Sequence, residues 1–150
     1  MSEPSTLRTG SNNTFVVDAS VAVKWVVKEK GSYEAADLVG TGRFVAPDIL
    51  WVECASALRS QVRQNKLTPF EARAAFADLR CVPVALVPAN DLLDSAFTLT
   101  LELGHPIYDC LYMALSMQCN IPLLTSDRRL VAAAANHPAL SNLVTHFPLE

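Results

Sequence analysis

Apolar residues along this chain fall into two rhythms. Short unbroken runs stopped by Asp, Pro or Gly read as buried strands, whereas apolar residues spaced three and four apart read as helices. The run 14–17, with its Phe-Val-Val content, stops at Asp18 and predicts a first strand. A helix is predicted over 20–27, and a second short helix over 33–39, closed by Gly40 and Gly42. A short strand over 44–46 is stopped by Pro47.

A long helix is predicted over 48–65, with Trp51, Cys54, Ala55, Leu58 and Val62 as one apolar stripe. Thr68-Pro69-Phe70-Glu71 is a strong helix start: Thr caps, Pro takes the first position and Glu71 closes a capping box. That helix should run to about Leu79. A strand over 82–87 ends at Pro88, and Asn90 or Asp91 opens a helix to Leu103, broken by Gly104. A helix over 107–118, a strand over 123–125, a helix over 127–135 and a last strand over 143–146 complete the series. Short apolar strands alternating with helices predict an α/β fold, a parallel sheet of about five strands with helices on both faces. In such sheets ligands lie beyond the carboxyl ends of the strands, so the residues just after each strand matter most.

The 150 residues are 51% hydrophobic and 18% charged, enough apolar content for one folded domain, expected over 14–150. Residues 1–13, MSEPSTLRTGSNN, lack the apolar segment of a signal peptide and read as a flexible polar leader. No apolar run approaches the ~20 residues that span a bilayer, and a cytoplasmic protein is expected. Twelve Lys and Arg against 15 Asp and Glu give a charge of −3, which argues against coating nucleic acid through bulk positive charge. The four cysteines form no CxxC pair and lie at no zinc spacing from the three histidines, so free, mostly buried thiols are expected. The histidines show no evident partnership.

Four carboxylates stand out. Asp18 and Asp127 each follow a strand, and each has a hydroxyl two residues away, Ser20 and Thr125. Read singly, each is as well explained as a helix cap. Glu53 lies on the long helix opposite the expected stripe, among Ile49, Ser56, Ala57 and Ser60; a solvated face is the simpler reading, yet such a face usually carries more charge. Asp109 opens its helix between Tyr108, Cys110, Leu111 and Tyr112, where a carboxylate must be paired, protonated or bound to a cation. Taken together the four suit a hard divalent cation, which takes oxygen ligands and keeps several waters. Without one, clustered carboxylates repel and raise one another's pKa.

The segments VVDASVAVKW, APDILWVECASAL and YDCLYMALSMQCNIPLLTSDRRL, in this order, resemble the PIN-domain family, and particularly the VapC-type toxins of prokaryotic toxin–antitoxin pairs. The resemblance covers about Thr14 to the end. It implies a PIN-like fold and an endoribonuclease dependent on Mg²⁺ or Mn²⁺, with catalytic acids at Asp18, Glu53, Asp109 and Asp127 and supporting hydroxyls at Ser20 and Thr125. It also implies a homodimer, and a cognate antitoxin whose C-terminal segment enters the acidic pocket. In the expected mechanism Asp18, Asp109 and Asp127 hold the cation directly. Glu53 ligates it through water or orients the attacking water.

Basic residues beside the acids should position the RNA backbone, with Arg128 and Arg129 first and Lys24 and Lys28 behind them. Tyr108 and Tyr112 are better read as core or interface than as base-stacking platforms. Two other readings compete. A receiver or phosphatase-like domain would transfer a phosphoryl group to Asp18, but Asp18-Ala19-Ser20 lacks the second carboxylate such sites carry. A non-catalytic PIN-like interaction module would have lost one or more of the four acids, and all are present. With those four set aside, eleven acids face twelve bases, so the negative charge reads as one concentrated site.

Overall fold

The computed structural model describes residues 13–148. The expected leader therefore lies, except for Asn13, outside the described residues. Five strands, β1 (Thr14–Val17), β2 (Arg43–Pro47), β3 (Val84–Val87), β4 (Leu123–Thr125) and β5 (Val144–His146), pair in parallel in the order β3-β2-β1-β4-β5. Parallel neighbours need long crossovers, and these carry the helices. α1 (Ala19–Ala22) and α2 (Ser32–Thr41) follow β1, α3 (Leu50–Arg63) and α4 (Pro69–Leu79) follow β2, α5 (Ala89–Leu103) and α6 (Ile107–Cys119) follow β3, and α7 (Arg128–Ala135) follows β4.

The inner strands β1, β2 and β4 are mostly apolar because both sheet faces are covered there. Val16 and Leu123 point into a large core shared with α3 to α7, where Leu50, Leu79, Leu92, Tyr112 and Leu130 are fully buried. Phe15, Val17 and Leu124 point the other way, against Ala35 of α2 and Phe147. Burying each Val, Leu or Phe side chain contributes about 1.5–3 kcal/mol. These residues hold the central strands, and hence their carboxyl ends, in place. Among the described residues no helix is long and apolar enough to cross a membrane.

Several local expectations are corrected. The helix expected over 20–27 stops at Ala22 and passes into a 3₁₀ turn, Val23–Trp25. Its run of β-branched valines favours helix poorly. α2 continues through Gly40 and ends before Gly42, whose N–H bonds the Leu38 carbonyl at 2.7 Å. Pro47 is the last residue of β2 rather than its stop, a position where a missing N–H costs little. α3 begins at Leu50, because Asp48 ties the end of β2 to the start of α5: its N–H bonds Val87 O at 2.9 Å and its Oδ1 accepts the Ala89 N–H at 3.0 Å. α5 accordingly starts at Ala89, ahead of Asn90 and Asp91, and ends at Gly104 with φ +60°. β3 starts only after Pro83, which cannot donate to the ladder, and β5 starts one residue later than expected.

The buried line of α3 is Leu50, Cys54 and Leu58, with Trp51 and Ala57 packed beside it and Ala55 exposed. The apolar face is thus turned toward Glu53 from where the sequence placed it. The capping box at α4 forms as expected, with Thr68 Oγ1 accepting from Glu71 N at 3.1 Å and Glu71 Oε1 accepting from Thr68 N at 3.0 Å. All four cysteines are free, but only Cys54 and Cys110 are buried. Cys81 sits in the turn after α4 and Cys119 at the end of α6, both exposed.

Candidate active site

β1 is the middle strand, and the chain leaves it toward β2 on one side while β4 lies on the other. Such a switch point opens a crevice at the carboxyl ends of the two strands. Val16 pairs with Leu123 and Val17 with Leu124, so one step further along the register Asp18 stands beside Thr125. Both are buried. The Asp18 carboxylate caps α1, Oδ1 accepting from Val21 N at 3.2 Å and from Ser20 Oγ at 2.6 Å, while the Thr125 hydroxyl donates to Oδ2. Capping and a place in the crevice are compatible here, since the cap is what aims the group.

The same hydroxyls reach the turn after β4. Ser20 Oγ accepts the Ser126 N–H at 2.8 Å and Thr125 Oγ1 accepts the Asp127 N–H at 3.1 Å. Asp127 caps α7, its Oδ1 accepting from Arg129 N at 2.9 Å and Leu130 N at 3.4 Å. Ser20 and Thr125 therefore tie the turn after β1 to the turn after β4.

The other two acids come from helices. Glu53, in the first turn of α3, accepts a hydrogen bond from the Tyr112 hydroxyl at 2.6 Å. Tyr112 is fully buried in α6, so it is core, as expected, but with a polar end at the site. Asp109, in the first turn of α6, bonds His105 Nε2 through Oδ2 at 2.7 Å. The expectation that the histidines lack partners fails at His105, and His137 pairs with Glu102 at 3.3 Å. His105 lies ahead of the helix, across Pro106, but it stands four residues before Asp109, and that spacing is the signal that could have found it.

The charges couple these positions. Burial pushes the Asp18 carboxyl up to about 6, against the lowering effect of its hydrogen bonds, and the Asp109 charge pushes it the same way. Burial also raises Glu53 and Asp109; the Asp109 charge adds to the first and the Asp127 charge to the second. Thus Asp109 is felt by Asp18 and Glu53, and feels Asp127. Burial first, then Asp18 and Glu53, push the neighbouring Cys54 thiol up to about 12, so it stays neutral and offers no thiolate.

The donors are all oxygen, the carboxylates repel one another, and thiolate is absent. That chemistry fits a hard divalent cation. Among the described residues no three or more His, Cys, Asp or Glu side chains are grouped closely enough to hold a metal ion between them. Mg²⁺ commonly uses one or two carboxylates and keeps several waters, so an open acidic site suits it.

Arg128 and Arg129 open α7 directly after Asp127, both exposed. Lys24 is occupied by Glu29, Nζ to Oε1 at 3.2 Å, and Lys28 is exposed. Tyr108 is exposed.

A profile of the PIN domain matches residues 15–136. The VapC ribonuclease Mb0985 of Mycobacterium bovis is 30% identical over 115 residues, covering 77% of this chain and 87% of that protein. Among solved structures, the Mycobacterium tuberculosis toxin VapC20, described as cleaving the sarcin–ricin loop, superposes with a TM-score of 0.60 at 16% identity, over 79% of this chain and 94% of that one. VapBC2 from Rickettsia felis, solved bound to a promoter DNA fragment, superposes at 0.58 with 13% identity, over 89% and 98%. Sheet order, acidic crevice and these relatives agree: the chain belongs to the PIN domain family, among its VapC ribonucleases.

Proposed function

We propose that this VapC-type ribonuclease is an endoribonuclease dependent on Mg²⁺ or Mn²⁺ that hydrolyses RNA phosphodiester bonds. We read it as the toxin of a type II toxin–antitoxin pair. The observation that carries the proposal is the convergence of Asp18, Glu53, Asp109 and Asp127 as mutually repelling carboxylates around the β1–β4 crevice. When bound, a divalent cation supplies a Lewis acid that acidifies water and neutralises charge on a phosphoryl oxygen. Asp18, Asp109 and Asp127 would hold it, with water completing the open set, and Glu53 would bind through water.

The rest is done by the chain. Glu53, steadied by Tyr112, orients the attacking water and accepts its proton at Oε2, the oxygen that Tyr112 leaves without a bond among the described residues. Ser20 and Thr125 hold Asp18 and the β4 turn in register. Arg128 and Arg129 position the RNA backbone. A water nucleophile needs no 2′-hydroxyl attack, which agrees with a site where His105 is engaged by Asp109 and His146, beside Thr125 in the sheet, by the Pro148 carbonyl.

The remaining parts of the reading are a single domain over 14–150, a cytoplasmic homodimer, and a cognate antitoxin that fills the acidic crevice. The VapBC2 complex supports a partner of that kind. Expression of the chain should arrest growth, and co-expression of the neighbouring reading frame should relieve the arrest. No arrest, together with no RNA turnover by the purified protein, would favour a non-catalytic interaction module.

A further inference from the structure

We infer that His105 is a positioning residue that fixes the Asp109 carboxylate for cation binding, an inference that rests on the proposed function. The other strand-end acids are held by several donors. Asp18 receives two hydroxyls and a backbone N–H, and Asp127 receives two backbone N–H groups. Asp109 sits at the start of a helix instead, and His105 is its one hydrogen-bond partner among the described residues. An ionised carboxylate only accepts, so the imidazole must carry its proton on Nε2. With Oδ2 engaged at 2.7 Å, the carboxylate plane is set and Oδ1 is left for a ligand.

His105 is itself anchored from both sides. Gly104 ends α5 in a left-handed turn and Pro106 opens α6, so His105 occupies a short, restricted connection. The Thr100 hydroxyl donates to its carbonyl from α5, and Cys110 Sγ approaches the same oxygen at 3.7 Å from α6. Its side chain is only 12% exposed. These contacts hold the His105 backbone, and the ring it carries opposes, through its bond to Oδ2, the repulsion that Asp18, Glu53 and Asp127 exert on Asp109. Histidine–carboxylate contacts outside a metal's own ligands commonly govern its affinity by 10–100-fold.

The test titrates Mn²⁺ into the full purified chain and reads free Mn²⁺ by electron paramagnetic resonance. His105→Leu should weaken binding by about tenfold or more. His105→Gln, whose amide N–H reaches about as far as Nε2, should recover most of the affinity. In an Asp109→Asn background, adding His105→Leu should change binding by less than about twofold, because the residue acts through Asp109. Should leucine prevent folding, His105→Asn, too short to reach Oδ2, is compared with His105→Gln in the same way. Unchanged affinity in His105→Leu, or an equal loss with and without Asp109, overturns the positioning role alone. A wild-type chain that binds no Mn²⁺ overturns both this role and the function it rests on.

Discussion

The Tyr112 hydroxyl reaches Glu53 Oε1 across 2.6 Å and joins the middle of α6 to the first turn of α3. Burial raises both groups, and the bond opposes that rise at Glu53. Tyr112→Phe removes the donor and leaves a half-buried carboxylate without it. The variant should lose about 1.5–3 kcal/mol in urea denaturation, and the Glu53 pKa should climb further in a carboxyl NMR titration. An unchanged midpoint and an unmoved Glu53 would remove this bond from the account.

Asp18 titrates near 6 in the folded chain against 3.8 for an ordinary aspartate. A raised folded-state pKa means the native chain holds its proton where the unfolded chain has lost it. Stability from this group is therefore full below about pH 4 and lost as pH rises through 6, an effect on the order of 3 kcal/mol. In chelator, Asp18→Asn should gain on the wild type between pH 4 and 7 in thermal denaturation. Adding Mg²⁺ above pH 6 should stabilise the wild type and not the variant. A stability difference that stays flat with pH would contradict the buried-charge explanation.

Arg128 and Arg129 flank the crevice from the first turn of α7. Changing both to Gln should raise KM for RNA several-fold at low salt and leave kcat within about twofold. The log–log salt dependence of binding should become shallower by about 0.7 per charge removed. An unchanged slope would mean that other residues carry the backbone contacts.

What the sequence disclosed and what it hid follow from range. Strand identities, the Thr68 cap and the positions of Asp18 and Asp127 are local patterns, and they appear where expected. The burial of Asp18 follows from the parallel register that sets it beside Thr125. Glu53 looked opposite the apolar stripe because Ala55 was counted as core; packing turned α3 so that Leu50, Cys54 and Leu58 face inward and Glu53 meets Tyr112. That rotation depends on packing against α1 and α4, and its partner at Glu53, Tyr112 of α6, is remote in the chain. His105 stands four residues before Asp109, a spacing legible in the sequence, but it lies ahead of the helix and off any apolar stripe, so the hydrophobic pattern alone does not single it out.

The central claim is that the four acids form a metal-dependent cleavage site, and Asp109 is the position through which their charges are coupled. The direct measurement is RNA cleavage by purified, antitoxin-free protein with Mg²⁺ or Mn²⁺, with excess chelator, and with the near-isosteric Asp109→Asn. Cleavage should require the metal and fall by more than about a hundredfold in the variant, beyond the usual cost of losing an outer partner, while circular dichroism and Tm show a folded chain. Equal cleavage in chelator, or full activity of Asp109→Asn, would contradict it.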